Sequence, residues 1–220
     1  MTRGSQDTRV KNINRQLVIM ANLVEKQIYD SMLCLKNYDT EAAANIIKGD
    51  DKVDELQKVI EELCIKFIAA EQPLATDLRK VMTASKIVTD LERMADHAVD
   101  ICKITMMIGG TINSFKKHLD PLWEMEKKVR AMIGLAIESY INNDDETAYK
   151  ICERDDEVDS IYRSLFTTFV EDIKLDESLI DKGIRLLFVI KYLERIGDHV
   201  TNICEWTIYS KSGSYVDLNE

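Results

Sequence analysis

Two stretches of this chain repeat acidic residues at a spacing that can do chemistry. DLERMADHAVDIC (Asp90–Cys102) carries Glu92, Asp96 and Asp100 four residues apart. YLERIGDHVTNIC (Tyr192–Cys204) carries Glu194, Asp198 and, at the third place, Asn202. Residues four apart share a helix face, so each stretch draws a stripe of oxygen donors down one side. Like charges at that spacing repel and destabilise a helix, so the stripe needs a reason. From Leu91 and Leu193 the stretches agree at seven of twelve positions, including Glu92/Glu194, Asp96/Asp198 and His97/His199. Two further pairs, Asp50/Asp54 and Asp155/Asp159, have the same spacing, with Asp51 and Asp156 beside them. Carboxylates gathered in such numbers ask for protons or a cation. An all-oxygen set suits hard ions: Mg²⁺, Mn²⁺, Ca²⁺ or iron, with Zn²⁺ also open, held singly or as a bridged cluster.

The elements that would position these residues are helices. Leu17, Met20, Val24, Ile28, Met32 and Leu35 recur at helical spacing and predict a helix over about 14–37. A second run opens at Asp39-Thr40-Glu41, has a break signal at Gly49 and closes at Gln72-Pro73. A third spans about 74–107, and Gly109-Gly110 marks a boundary. Asp120-Pro121 opens a fourth, Asn143-Asp144 a fifth, and a sixth covers about 178–209, after which 210–220 is expected to fray. No stretch alternates as a strand does.

The second half repeats the first. Offset by 105, Asn37–Leu56 matches Asn142–Ile161 at nine of twenty positions, and offset by 102 the third helix lies over the sixth. The expected architecture is all-α: two tandem, pseudo-symmetric three-helix bundles, 1–108 and 109–220. Hairpin arithmetic then brings the acidic pairs together. Asp54 lies 17 residues before Glu71, and Glu92 lies 18 after Leu74. At about 1.5 Å per residue both stand about 26 Å from the turn, and Asp50 faces Asp96. Asp159 and Glu194 match in the second bundle.

Composition narrows the function. With 45% hydrophobic and 31% charged residues, eight Gly and only two Pro, the chain suits long amphipathic helices. A net charge of −10 argues against nucleic acid and against an anionic membrane surface. Five cysteines without a CxxC pair read as buried thiols in a reducing compartment, and no apolar run reaches membrane-spanning length, so a soluble cytoplasmic protein is expected. No Glu-x-x-His, HExxH, phosphate loop or nucleophile elbow is present, so nothing asks for catalysis. A carboxylate-bridged metalloenzyme or storage bundle remains an alternative. So does a metal-free adaptor whose acids pair with Lys58, Arg93, Arg163 and Arg195. His97 and His199 sit about 100° from the acidic stripe, which suits packing or hydrogen bonding. Trp123 and Trp206 read as packing residues.

EQPLATDLRKV (Glu71–Val81), DLERMADHAVDI, YLERIGDHVTNI and the early MANLVEKQI…D-x-x-VDEL pattern together resemble the PhoU family of phosphate-uptake regulators, over about Leu17 to Trp206. The resemblance implies two symmetric bundles whose E(D)xxxD motifs bind metal clusters. By motif, the ligands fall on Asp50, Asp54, Glu92 and Asp96, and on Asp155, Asp159, Glu194 and Asp198. Asp100 extends the first stripe. Asn202, a neutral donor, makes the second set one charge weaker. Met94-Ala95 stands where the family usually has Ile-Gly, a change expected not to touch the acids. The family also implies a homodimeric, cytoplasmic regulator. It would restrain an ABC-type phosphate transporter through that transporter's ATPase subunit and report to a phosphate-responsive sensor histidine kinase.

Overall fold

The computed structural model describes residues 3–218, with side chains from residue 6 onward. Its helices are α1 (Arg3–Asn37), α2 (Thr40–Lys48), α3 (Asp51–Glu71), α4 (Ala75–Met107), α5 (Leu119–Asn142), α6 (Asp145–Leu175) and α7 (Ile180–Ser212), and no strand occurs among the described residues. None of these helices is long and apolar enough to cross a membrane. The periodic stripe of α1 from Leu17 to Leu35 is buried throughout, as is its counterpart from Met125 to Ile137 on α5.

The run expected from about residue 40 does break at Gly49, into α2 and α3. Around Gly49 and Asp50 the bonding tightens to i→i+3 type, with Lys52 N to Gly49 O at 3.4 Å and Val53 N to Asp50 O at 2.8 Å. Arg154 holds the equivalent place in the second half, and there α6 runs through. Helix α1 begins well before the expected residue 14. Its added turns are pinned by buried Ile13 and by an Arg9 Nε–Glu71 Oε1 contact of 3.2 Å to the end of α3.

Helices α1, α3 and α4 form one bundle and α5, α6 and α7 the other, with α2 lying on α4. The halves meet chiefly along α4 and α7, and α1 also touches α5. Buried apolar residues of both halves join into a single cluster, so one core runs through the molecule. The segment after Gly109 is packed rather than loose: Phe115, on a 3₁₀ turn (Asn113–His118), is fully buried and meets Phe169 edge-on at 5.3 Å.

The structure corrects the frayed C-terminus. Helix α7 continues to Ser212, and Gly213 (φ +76) takes the left-handed conformation that turns the chain back. Tyr215 then stacks on Tyr209 at 4.2 Å and meets Trp206 edge-on at 5.8 Å, while Leu218 N donates to Glu205 Oε1 at 2.6 Å. Tyr215→Ala should therefore lower stability by about 1 kcal/mol through the lost aromatic pairs. It should also shift Trp206 emission to the red; an unchanged emission spectrum would count against an ordered tail.

Candidate metal centre

Helices α3 and α4 run antiparallel from the turn at Gln72-Pro73, and the acids meet at the level their spacing predicts. Burial pushes the Asp50 carboxyl upward, the Gln27 amide at 2.8 Å pulls it back, and the charges of Asp54 and Asp96 raise it again. Glu92 is likewise raised by burial and then by Asp96, with Asp54 and Asp50 contributing and Arg93 opposing. Asp50, Asp54, Glu92 and Asp96 thus share one electrostatic neighbourhood. The nearest positive group is Arg93, 3.6 Å from Glu92 and 3.5 Å from Asp96. The Asp54–Lys58 pairing expected from the sequence does not form among the described residues.

Helices α6 and α7 build the second set. Asp155 crosses to α7, where Thr201 Oγ1 donates to its Oδ2 at 3.1 Å. Its other oxygen, Oδ1, is buried without a hydrogen-bond partner. Burial first, and then the charges of Asp198, Asp159 and Glu194, push this carboxyl up to about 7, against the pull of Thr201. Glu194 and Asp198 are raised as well, burial again being the main cause. Cations reach the rim of this set: Lys191 grips Glu194, Arg163 lies 3.0 Å from Asp159 and Arg195 3.9 Å from Asp198. The second set is therefore better neutralised than the first.

Asp100 and Asn202 stand elsewhere. Asp100 pairs with Lys103 at 2.8 Å, and its charge is felt by His97 on its own helix and by Tyr192 of α7. Asn202 donates from Nδ2 to Asp90 Oδ1 at 3.2 Å, across the contact between α4 and α7. A single α7 carboxamide within reach of buried Asp90 is satisfied there, which is why it does not continue the stripe. The difference in charge between the two sets comes from Lys191, Arg163 and Arg195 instead. His97 and His199 do meet away from the acids, at 5.7 Å from each other. His199 Nδ1 lies 3.0 Å from Asp90 Oδ1, and His97 stacks on Tyr192 at 5.3 Å. Burial, and after it His199, hold the His97 imidazole down at about 4.

Two contributors escape the spacing argument. Gln27 comes from α1, which carries no acidic motif, and nothing in its surroundings signals that it reaches Asp50. Gly197 does have a signal, since it replaces Ala95 of the first repeat. A Cβ built on it would lie 2.5 Å from Asp155 Oδ1. The Ala/Gly difference therefore touches the acids after all, because α6 approaches α7 at that point.

The donor set fits a hard cation. Asp50, Glu92, Asp155, Glu194 and Asp198 are raised first by burial and then by acidic neighbours, and Asp155 Oδ1 is a buried acceptor with nothing to accept. As the side chains stand, no three His, Cys, Asp or Glu among the described residues are grouped as around a metal ion. These are donor arrays rather than closed coordination spheres.

The PhoU domain model matches residues 17–105 and again 122–207, one match for each bundle. The chain belongs to the PhoU family. It is 43% identical to the phosphate-specific transport system accessory protein PhoU homolog of Clostridium acetobutylicum, over the whole of both chains. The PhoU protein of Escherichia coli is 29% identical, across 96% of this chain and 86% of that one. Among solved structures, the phosphate transport system regulatory protein PhoU from Streptococcus pneumoniae superposes with a TM-score of 0.88 at 28% identity, over 96% of this chain and 99% of that one. PhoU from Pseudomonas aeruginosa gives 0.85 at 27% identity, over 94% and 99%. The PhoU fold with its tandem bundles is thus the fold of this chain, and each copy of the domain carries one acidic array.

Proposed function

We propose that this chain is a cation-binding, non-enzymatic negative regulator of high-affinity phosphate transport and phosphate-responsive signalling. One observation carries the cation half: duplicated acidic pairs converge in both bundles, and one member, Asp155, keeps a buried oxygen without a partner. Relatives named as accessory proteins of phosphate-specific transport support the regulatory half. In the first bundle Asp50, Asp54, Glu92 and Asp96 would hold the ion, and in the second Asp155, Asp159, Glu194 and Asp198. A bound iron, Mn²⁺, Mg²⁺ or Ca²⁺ supplies the positive charge that these arrays lack. Gln27 and Thr201 hold the innermost carboxylates, Asp50 and Asp155, by hydrogen bonds. The partners on this reading are the ATPase subunit of an ABC-type phosphate transporter and a phosphate-responsive sensor histidine kinase, met as a homodimer in the cytoplasm.

The test is complementation in the host. Deleting the gene should switch on phosphate-starvation genes in phosphate-rich medium, and the wild-type chain should restore repression. The variant Glu92→Gln/Asp96→Asn/Glu194→Gln/Asp198→Asn should fold, carry less metal by elemental analysis and fail to repress. Unchanged expression on deletion would overturn the regulatory half. Full complementation by a variant stripped of metal would overturn the cation half.

A further inference from the structure

Helices α1 and α5 are counterparts in the repeat, and they also pack on each other. Arg130 lies over the Tyr29 ring at 4.9 Å and Lys36 over the Trp123 ring at 5.2 Å, which sets the two helices antiparallel. Offset by 105, Tyr29 maps onto Gly134 and Arg130 onto Glu25, and these two meet as well: a Cβ built on Gly134 would lie 3.1 Å from Glu25 Oε1. Trp123 maps onto Val18 and Lys36 onto Ile141, and both line one hollow with Glu25 and Gly134. The seam between α1 and α5 is therefore one set of contacts made twice, about a pseudo-twofold axis.

The two halves of the seam are filled differently. In one, the rings of Tyr29 and Trp123 take up the space and a cation lies over each. In the other, glycine and valine stand where those rings were, and a hollow of about 330 Å³ is left between the helices. Buried Ala21 and Ile137 line its floor, and it meets solvent at Val18 and Gly134. The charge is inverted as well. Glu25 stands in place of Arg130 and Glu138 in place of Leu33, and no Lys or Arg lines the hollow. Neither carboxylate makes a hydrogen bond or an ion pair among the described residues. Burial pushes the Glu25 carboxyl upward, and Arg130 alone opposes it. That guanidinium is already bonded to Glu126 and laid over Tyr29.

We infer that this hollow binds a small organic cation, an amine or guanidinium carried on an aromatic or aliphatic body. The body takes the space left over Gly134, and the charge pairs with Glu25 and Glu138. The filled half shows in cis that this frame accepts a ring with a cation against it. The volume stands at the small end of ligand pockets, which run to roughly 300–1,000 Å³. A neutral apolar molecule would leave half-buried Glu25 without a counter-charge and further stripped of water. A bare metal ion would find two carboxylates over an apolar floor, where hard cations take about six or more oxygens. None of the eight array carboxylates lines the hollow, so the inference does not depend on the function proposed above.

The probe is phenethylamine, titrated into the full chain and followed by calorimetry and by the backbone amide resonance of Ile137. Saturable one-to-one binding is expected, with a Kd below about 1 mM. Its uncharged analogue 2-phenylethanol should bind at least tenfold more weakly, and the anion 3-phenylpropionate should not saturate. Glu25→Gln should weaken the amine at least tenfold. Gly134→Tyr, which restores the residue of the filled half, should abolish binding. Both variants should melt near the wild-type temperature, because Gly134 is exposed and Glu25 is unpaired. No saturable binding overturns the proposal, and so does equal affinity for the alcohol. Binding that survives both variants also overturns it, since the amine would then be sitting on the acidic arrays. If either variant dissociates a dimer in sedimentation, a second copy of this chain fills the hollow, and the proposed ligand class is wrong.

Discussion

Asp155→Asn should raise the melting temperature of chelator-treated protein at pH 8 and flatten its dependence on pH. In the folded chain this carboxyl keeps its proton to about 7, against an ordinary value of 3.8. Between those values the folded state binds more protons than the unfolded state, so stability falls as pH rises from about 4 to about 7. Below that window the penalty is absent, and above it the penalty is complete. One pKa unit is worth about 1.4 kcal/mol, and a discount for residual solvent leaves a penalty on the order of 3 kcal/mol. Asparagine keeps an acceptor for Thr201 and carries no charge, so it removes that penalty. At about 2–4 °C per kcal/mol, the metal-free variant should melt about 6–12 °C higher than wild type at pH 8. Addition of Mn²⁺ should reverse the order, because the wild-type carboxylate gains a counter-ion and the amide does not. A wild-type melting temperature that holds level between pH 4.5 and 8 in chelator would show that Asp155 is not under this strain.

Gly197→Ala is the second large effect, and its sign depends on what is measured. In an ordinary helix interior, alanine in place of glycine gains about 1 kcal/mol. Here the new methyl would sit 2.5 Å from Asp155 Oδ1 and 3.6 Å from Val158 Cγ1. Overpacking costs about 1–3 kcal/mol when neighbours cannot yield. Asp155 can yield by rotating its short side chain, which takes the carboxylate out of the array. The variant should therefore fold with a melting temperature near that of wild type and lose at least about tenfold in cation affinity at the second array, a change of about 1.4 kcal/mol. Calorimetric titration separates the two quantities. Unaltered affinity would mean that the glycine is there only for helix packing. Ala95→Gly, at the matching place in the first bundle, should cost helix stability and leave cation binding intact, since α3 starts at Asp51 there and Gln27 orients Asp50.

The parts legible in the sequence are those governed by helical period and by the chain reversal at Gln72-Pro73. The spacing of Asp50, Asp54, Glu92 and Asp96 around that turn was enough to bring them to one level, because two rigid rods joined by a short turn have little freedom in register. Contacts that depend on the lateral approach of helices were not legible. Asn202 looked like the third rung of an acidic stripe because spacing along one helix says nothing about which neighbour a side chain meets; Asp90 of α4 claims it. Gly197 looked like a neutral variation for the same reason. The first turns of α1 are polar by composition, and only the reach of Arg9 to Glu71 and the burial of Ile13 account for them. The tail is polar on average, yet Tyr215 and Leu218 are placed so that Gly213 can turn them back onto α7.

The unbroken core has a thermodynamic corollary. Because buried residues of both halves belong to one cluster, neither bundle can open without stripping α4 from α7 and baring the other's apolar face. An ion held at either array would therefore stabilise the whole chain against unfolding, the bundle of the empty array included.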